Sequence, residues 1–83
     1  MKVIFSNSAA RQWRKLPREI QKRIKNKITF FLNSLHPLEF AKDIKDKELG
    51  EYCFRIGEYR LLFDVREHNI IIVRVGHRKD IYK

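Results

Sequence analysis

At Tyr52 the hydrophobic period of this chain changes, and that change limits the folds open to it. Before it, Ile20, Ile24, Ile28, Phe31 and Leu35 recur at steps of four, four, three and four. Such spacing draws one apolar stripe along an amphipathic helix. After it, Tyr52, Phe54 and Ile56 alternate with Cys53 and Arg55. Tyr59, Leu61, Phe63 and Val65 then alternate with Arg60, Leu62 and Asp64. A step of two marks strands with one face on a core. Helices first and consecutive strands afterwards predict an α+β fold, with the helices packed on one face of an antiparallel sheet.

The residues between these runs supply the boundaries. Lys2-Val3-Ile4-Phe5 reads as a first strand, and Ser6 to Ser8 offer N-caps for a short helix carrying Ala9, Ala10, Trp13 and Leu16. Pro17 ends that helix or starts the next. His36-Pro37 is expected to end the second, because a residue before proline avoids the helical region. Residues 38–51 are mixed and charged, a connection with one further turn. Gly57-Glu58 is a two-residue hairpin loop of the Gly-X kind. Glu67-His68-Asn69 makes a second turn, and Ile70 to Val75 a third strand, apolar enough to lie inside the sheet. Whether that second loop has two or three residues decides the face on which Arg74 falls, so Arg74 is left out of the predicted site. The expected order is an N-terminal strand, a helical hairpin, a three-stranded antiparallel meander and a C-terminal segment, forming one domain over residues 1–83.

Size and charge narrow the classes. The 83 residues hold one small core at most, near the limit of what such a chain can stabilise without a partner. The single cysteine, Cys53, closes no internal disulfide, and no His/Cys pair has zinc-ligand spacing. The apolar start is too short for a signal peptide, and no run approaches the roughly 18 apolar residues of a membrane span. A soluble cytoplasmic protein, with no membrane partner, is therefore expected. Its formal net charge of +9 calls for an anionic partner. Residues 11–27 carry eight basic residues and one acid, giving +7, whereas residues 39–51 carry −2 and residues 52–83 carry +3. The basic helix is equally well read as an ordinary solvated face or as a surface for phosphate contacts.

The hairpin makes the more specific statement. A two-residue loop at Gly57-Glu58 sets Ile56 opposite Tyr59 and Arg55 opposite Arg60. Like charges directly opposed are destabilising. Phe54, Ile56, Tyr59 and Leu61 then face the helices, and the two arginines share the other face, with Arg78 arriving from the chain end. An arginine fork suits phosphate. His77 can exchange a proton near neutral pH, and Tyr82 can do so if nearby cations lower its pKa. Three arginines with these two groups read as a phosphoryl-transfer site that uses no metal and no cofactor. Only Asp64 on these strands could serve as an acidic metal ligand, which argues against a two-metal nuclease.

The segment Tyr52-Cys53-Phe54-Arg55-Ile56-Gly57-Glu58-Tyr59-Arg60-Leu61-Leu62-Phe63, followed by Val75-Gly76-His77-Arg78-Lys79-Asp80-Ile81-Tyr82, resembles the RelE/ParE superfamily of toxin–antitoxin toxins. Ala10 to Pro17 resembles its first helix and the Lys-Leu-Pro turn. The resemblance covers essentially the whole chain. It implies a compact sheet backed by a helical hairpin. It also implies an endoribonuclease that cuts mRNA in the ribosomal A site, the ribose 2′-OH attacking the adjacent phosphate to leave a cyclic phosphate and a 5′-OH. On that resemblance Arg60 holds the scissile phosphate and Arg55 stabilises the transition state. Arg78 contacts the phosphate or the leaving oxygen, Tyr82 stacks or acts as general base, and His77 is a second acid/base candidate. Active members carry a further basic residue two places before Arg55, where this chain has Cys53. The expected partners are a cognate antitoxin, mRNA and ribosomal RNA, the RNA backbone gripped by Arg18, Lys22, Arg23, Lys25, Lys27 and Lys79. Two alternatives use the same scaffold: a ParE-like inhibitor of DNA gyrase, and a non-catalytic RNA-binding module.

Overall fold

The computed structural model describes residues 1–82. Strand β1 (Val3–Phe5) leads into helix α1 (Asn7–Arg14) and helix α2 (Arg18–Leu32). A 3-10 turn at Pro37–Phe40 precedes β2 (Ala41–Asp43), β3 (Tyr52–Ile56), β4 (Tyr59–Arg66) and β5 (Asn69–His77). The sheet has five strands in the order β1-β5-β4-β3-β2, with β1 parallel to β5 and the other pairs antiparallel. The predicted meander is therefore its centre, and two short strands flank it.

Local chemistry accounts for the helix ends. Ser6 caps α1, its hydroxyl accepting the Ala9 N–H at 3.1 Å. Pro17 is the N-cap residue of α2, and Gln21 ties that helix back by donating to the Trp13 carbonyl at 2.7 Å. The stripe of α2 buries Ile24, Ile28 and Phe31 against Phe54, Leu61, Phe63, Ile70 and Ile72 of the sheet. Phe31, Phe54 and Phe63 run in succession across this core at centroid distances of 4.8 and 4.5 Å.

Two boundary expectations are corrected. Helix α2 ends at Leu32 rather than at His36. The Ser34 hydroxyl and N–H both donate to the Phe31 carbonyl, at 2.7 and 3.2 Å, while Phe31 stacks on Phe40 at 4.7 Å. The chain thus doubles back before another turn forms, and Leu35 is left 93% exposed instead of joining the stripe. The second correction concerns residues 38–51, which contain a strand as well as a turn. In β2, Ala41, Lys42 and Asp43 pair with Phe54, Cys53 and Tyr52. Three residues are too few to carry a period of two, so only the pairing reveals the strand.

Glu51 holds the start of β3 to the far end of β4. Its N–H donates to Asp64 Oδ1 at 2.9 Å, and its carboxylate accepts the Val65 N–H and Arg66 Nη1, each at 2.9 Å. The Val65 N–H, aided by Arg66 and set against the cost of desolvation, holds the Glu51 carboxyl below its ordinary value of 4.5. A depressed folded-state pKa contributes stability above the ordinary value that is lost as pH falls through the folded value. Glu51→Gln is therefore expected to melt below wild type at pH 7. The gap should close on acidification below about pH 4.5. A gap independent of pH in thermal melts would refute this account.

Candidate functional site

The face of the sheet opposite the helices carries the site. The first hairpin is as the sequence predicts: Arg55 pairs with Arg60, Ile56 pairs with Tyr59, and Gly57 turns at φ +59°. Phe54, Ile56 and Leu61 enter the helix-side core, which leaves Arg55 and Arg60 on the other face. Arg60 Nη1 donates to the Gly57 and Tyr59 carbonyls at 2.9 and 2.8 Å, anchoring the guanidinium over the turn. Neither arginine makes an ion pair found among the described residues. Two opposed guanidinium groups offer forked donors of the kind that suits a phosphate.

The second hairpin supplies what sequence alone leaves open. Its loop is Glu67-His68, both at positive φ (51° and 67°), which suits a two-residue loop of the primed type. Pairing runs in step from Arg66↔Asn69 to Phe63↔Ile72, and then Leu62 pairs with Arg74, skipping Val73. This bulge reverses the alternation of β5. Ile70, Ile72 and Val75 all reach the helix-side core, and Arg74 falls on the face of Leu62, Arg60 and Arg55. Arg74 is thus a site residue missed by sequence reasoning; its only signal is a charge inside the apolar run from Ile70 to Val75. Gln12 accepts the Val75 N–H at 2.9 Å just past the end of β1, so the bulged strand keeps its hydrogen bonds.

Arg74 positions the chain end. Its Nη1 donates to the Ile81 carbonyl at 2.9 Å, and the Arg78 N–H donates to the Glu58 carbonyl at 2.8 Å. Ile81 packs into a small second core with Ile44, Cys53 and Leu62. These ties hold Tyr82 beside the hairpin, its hydroxyl 4.0 Å from Cys53 Sγ. Arg78 arrives at the tip of the first hairpin, where its Nε meets Glu58 Oε2 at 2.6 Å. Both partners are more than half exposed, so this ion pair is worth about 0–1 kcal/mol and yields readily to a phosphate.

His77 does not join the arginines. It pairs with Tyr59, which faces the helices, and its ring lies edge-on to Tyr59 at 5.5 Å. Its Nδ1 accepts the Lys79 N–H at 3.1 Å. Strand alternation turns this acid/base candidate away from them: Gly76 pairs with Arg60, and the next residue points the other way. The acid/base expectation for Tyr82 also shifts. Burial, more than its neighbour Cys53, pushes the phenol up from its ordinary value, outweighing the opposing pull of Arg60 and Arg55. Burial likewise pushes the Cys53 thiol up, and only 3% of that residue is exposed. At neutral pH both groups keep their protons, so Tyr82 is equipped to donate a hydrogen bond rather than to take a proton.

The helix charges occupy the opposite layer. Arg18, Lys22 and Lys25 line one shallow groove with Gln21 and Asn26, and Lys22, Arg23 and Lys27 line another with Phe30. All five are exposed, as is Lys79 in the C-terminal turn. Arg23 links the layers: its Nη1 lies 3.7 Å from where a Cβ on Gly57 would sit. Among the described residues, no group of three or more His, Cys, Asp or Glu side chains could hold a metal ion, and no helix is long and apolar enough to cross a membrane.

Residues 3–82 match the family described as ParE toxin of type II toxin-antitoxin system, parDE. The chain is 37% identical over 84 residues to Toxin RelE3 of Methanocaldococcus jannaschii, covering 99% of this chain and 96% of that one. It is 34% identical over 85 residues to Toxin RelG of Mycobacterium tuberculosis, covering 98% and 94%. Among solved structures, the RelB-RelE antitoxin-toxin complex from Methanococcus jannaschii has a chain superposing with a TM-score of 0.73 at 35% identity, over 96% of this chain and 95% of that one. The toxin-antitoxin complex RelBE2 from Mycobacterium tuberculosis gives the same TM-score at 32% identity, over 93% and 96%.

Proposed function

Because this chain belongs to the RelE/ParE superfamily of type II toxin–antitoxin toxins, we propose that it is a metal-independent endoribonuclease. In this reading it cuts mRNA on the ribosome, inhibits translation in the cytoplasm, and is held inactive by a cognate antitoxin. The observation that carries this reading is the opposed pair Arg55 and Arg60, which make no ion pair among the described residues and are flanked by Tyr82. A directly opposed pair of like charges works against the hairpin, and a bound phosphate turns that repulsion into binding.

The reaction follows from these groups. The ribose 2′-oxygen bonds to the neighbouring phosphorus and the P–O5′ bond breaks, giving a 2′,3′-cyclic phosphate and a 5′-hydroxyl. The 2′-OH proton passes to water, and the departing 5′-oxygen gains one. Arg55 and Arg60 carry the added charge on the pentavalent phosphorus, which is usually the largest contribution in such sites. Tyr82, whose phenol is raised above its ordinary value and so keeps its proton at neutral pH, donates to an oxygen of the phosphate or stacks on a base. Arg78 exchanges Glu58 for the leaving oxygen. Arg18, Lys22, Arg23, Lys25, Lys27 and Lys79 add phosphate-backbone attraction, which steers association with ribosomal RNA. An acidic antitoxin complements the +9 charge.

Mapping mRNA 5′ ends in a translating extract tests this reading. Wild type should leave codon-phased cuts with 5′-hydroxyl ends, and Arg55→Ala and Tyr82→Phe should each reduce them by at least about tenfold. The family description names ParE, so growth and DNA supercoiling are also followed in cells expressing the same variants. Growth arrest with intact mRNA and altered supercoiling would replace the nuclease with a gyrase inhibitor.

A further inference from the structure

The cleft beside the arginine pair is lined by two lysines, Lys42 and Lys45, that the reaction described above does not use. It has a volume of about 280 Å³, and Lys42, Lys45, Arg55, Cys53 and Tyr82 are among the residues lining it. Lys42 comes from the edge strand β2, where it pairs with Cys53 and so shares the face of Arg55 and Arg60. Directly paired side chains have Cβ atoms roughly 4.5–5.5 Å apart, and diagonal neighbours are about 7–8 Å apart, within reach of long side chains. Arg55, two residues beyond Cys53, is such a diagonal neighbour of Lys42. Lys42 is exposed and takes part in none of the ion pairs found among the described residues. Two carboxylates, Asp43 and Asp46, also line the cleft. Asp46 accepts the Glu48 N–H at 3.1 Å, and Asp43 pairs with Tyr52, one step out of phase with Lys42.

We propose that Lys42 is a further phosphate-binding cation of this site, contacting the RNA backbone one nucleotide away from the phosphate held by Arg55 and Arg60. The inference rests on the RNA reading above and adds a direction to it: the strand crosses the sheet from the first hairpin over Cys53 toward β2. A flexible ammonium suits this place, because it acts as a point charge and imposes no fork geometry. Cys53 favours it, since a small, neutral, buried side chain between Arg55 and Lys42 leaves the floor of the cleft low and uncharged.

The test is equilibrium binding of a single-stranded RNA made uncleavable by a 2′-deoxy nucleotide, across a salt series, with Lys42→Met, Lys42→Arg, Arg60→Ala and Lys47→Met. Lys47 lies outside the cleft and serves as the charge control. Lys42→Met should weaken binding roughly fivefold and reduce the slope of log affinity against log salt by about 0.7, the loss of one phosphate contact on a single strand. Lys42→Arg should restore both, and Lys47→Met should change neither. If Arg60→Ala weakens binding while Lys42→Met leaves affinity and slope at wild type, Lys42 is not a contact and only this inference fails. If neither variant matters, the RNA reading of the face fails with it. Thermal melts of each variant identify a folding defect. Because Lys42→Arg keeps the charge on the same edge strand, its behaviour separates charge from fold.

Discussion

Arg60→Ala is expected to lower the RNA cleavage rate by about 10²–10³-fold, the usual cost of removing a preorganised donor aimed at developing charge. Arg60 sits opposite Arg55, so its removal relieves like-charge repulsion across the hairpin. The hydrogen bonds it gives up are those from Nη1 to the Gly57 and Tyr59 carbonyls, the first exposed and the second only part-buried. Stability should therefore stay level or rise slightly while activity collapses, a combination that a structural role for Arg60 cannot produce. Arg60→Lys should fall between the two, since it keeps the charge and loses the fork. Single-turnover cleavage and thermal melts on the same preparations check both halves. Undiminished cleavage by Arg60→Ala would remove the arginine pair from the chemistry.

Phe54→Ala should destabilise the fold by about 3–5 kcal/mol, the cost of emptying a large aromatic site in a packed core. Phe54 is fully buried, lies between Phe31 of α2 and Phe63 of β4, and immediately precedes Arg55 in the chain. A domain of this size has only about 5–15 kcal/mol of stability in total, so this one change takes a large part of it. Because β3 carries Cys53 and Arg55 on its other face, the same change should loosen the arginine pair and cut activity at temperatures where the protein remains mostly folded. Urea unfolding gives the first effect, and cleavage measured well below the midpoint gives the second. A loss under about 1 kcal/mol would mean that the aromatic core collapses around the gap and that helix packing does not fix the strand.

Much of the fold was legible before the structure because its period is local. The stripe from Ile20 to Phe31 and the alternation from Tyr52 to Val65 each repeat often enough to set both the element and its buried face. The loop Gly57-Glu58 needs only two residues to register the first hairpin, which is why Arg55 and Arg60 could be paired from sequence. Leu35 misled because a helical period continues on paper after the chain has turned, and the turn depends on Phe40 packing back on Phe31. The strand β2 was hidden because its three residues become a strand only through β3.

Local residue patterns set the helix stripe, the first hairpin with its opposed arginines, and the segment from Gly76 to Tyr82 that carries the family resemblance. Tertiary structure alone decided which other side chains share their face. Strict alternation from Ile70 would have turned Arg74 into the core beneath the helices. The bulge at Val73 turns it outward, where it holds the Ile81 carbonyl and thereby Tyr82. The same alternation sends His77 away, and an edge strand built by pairing brings Lys42 in. The physical reason is common to all three. The face of a strand residue is set by the register of pairing and by one-residue irregularities in it, and these are fixed by what the neighbouring strand and the core will accept.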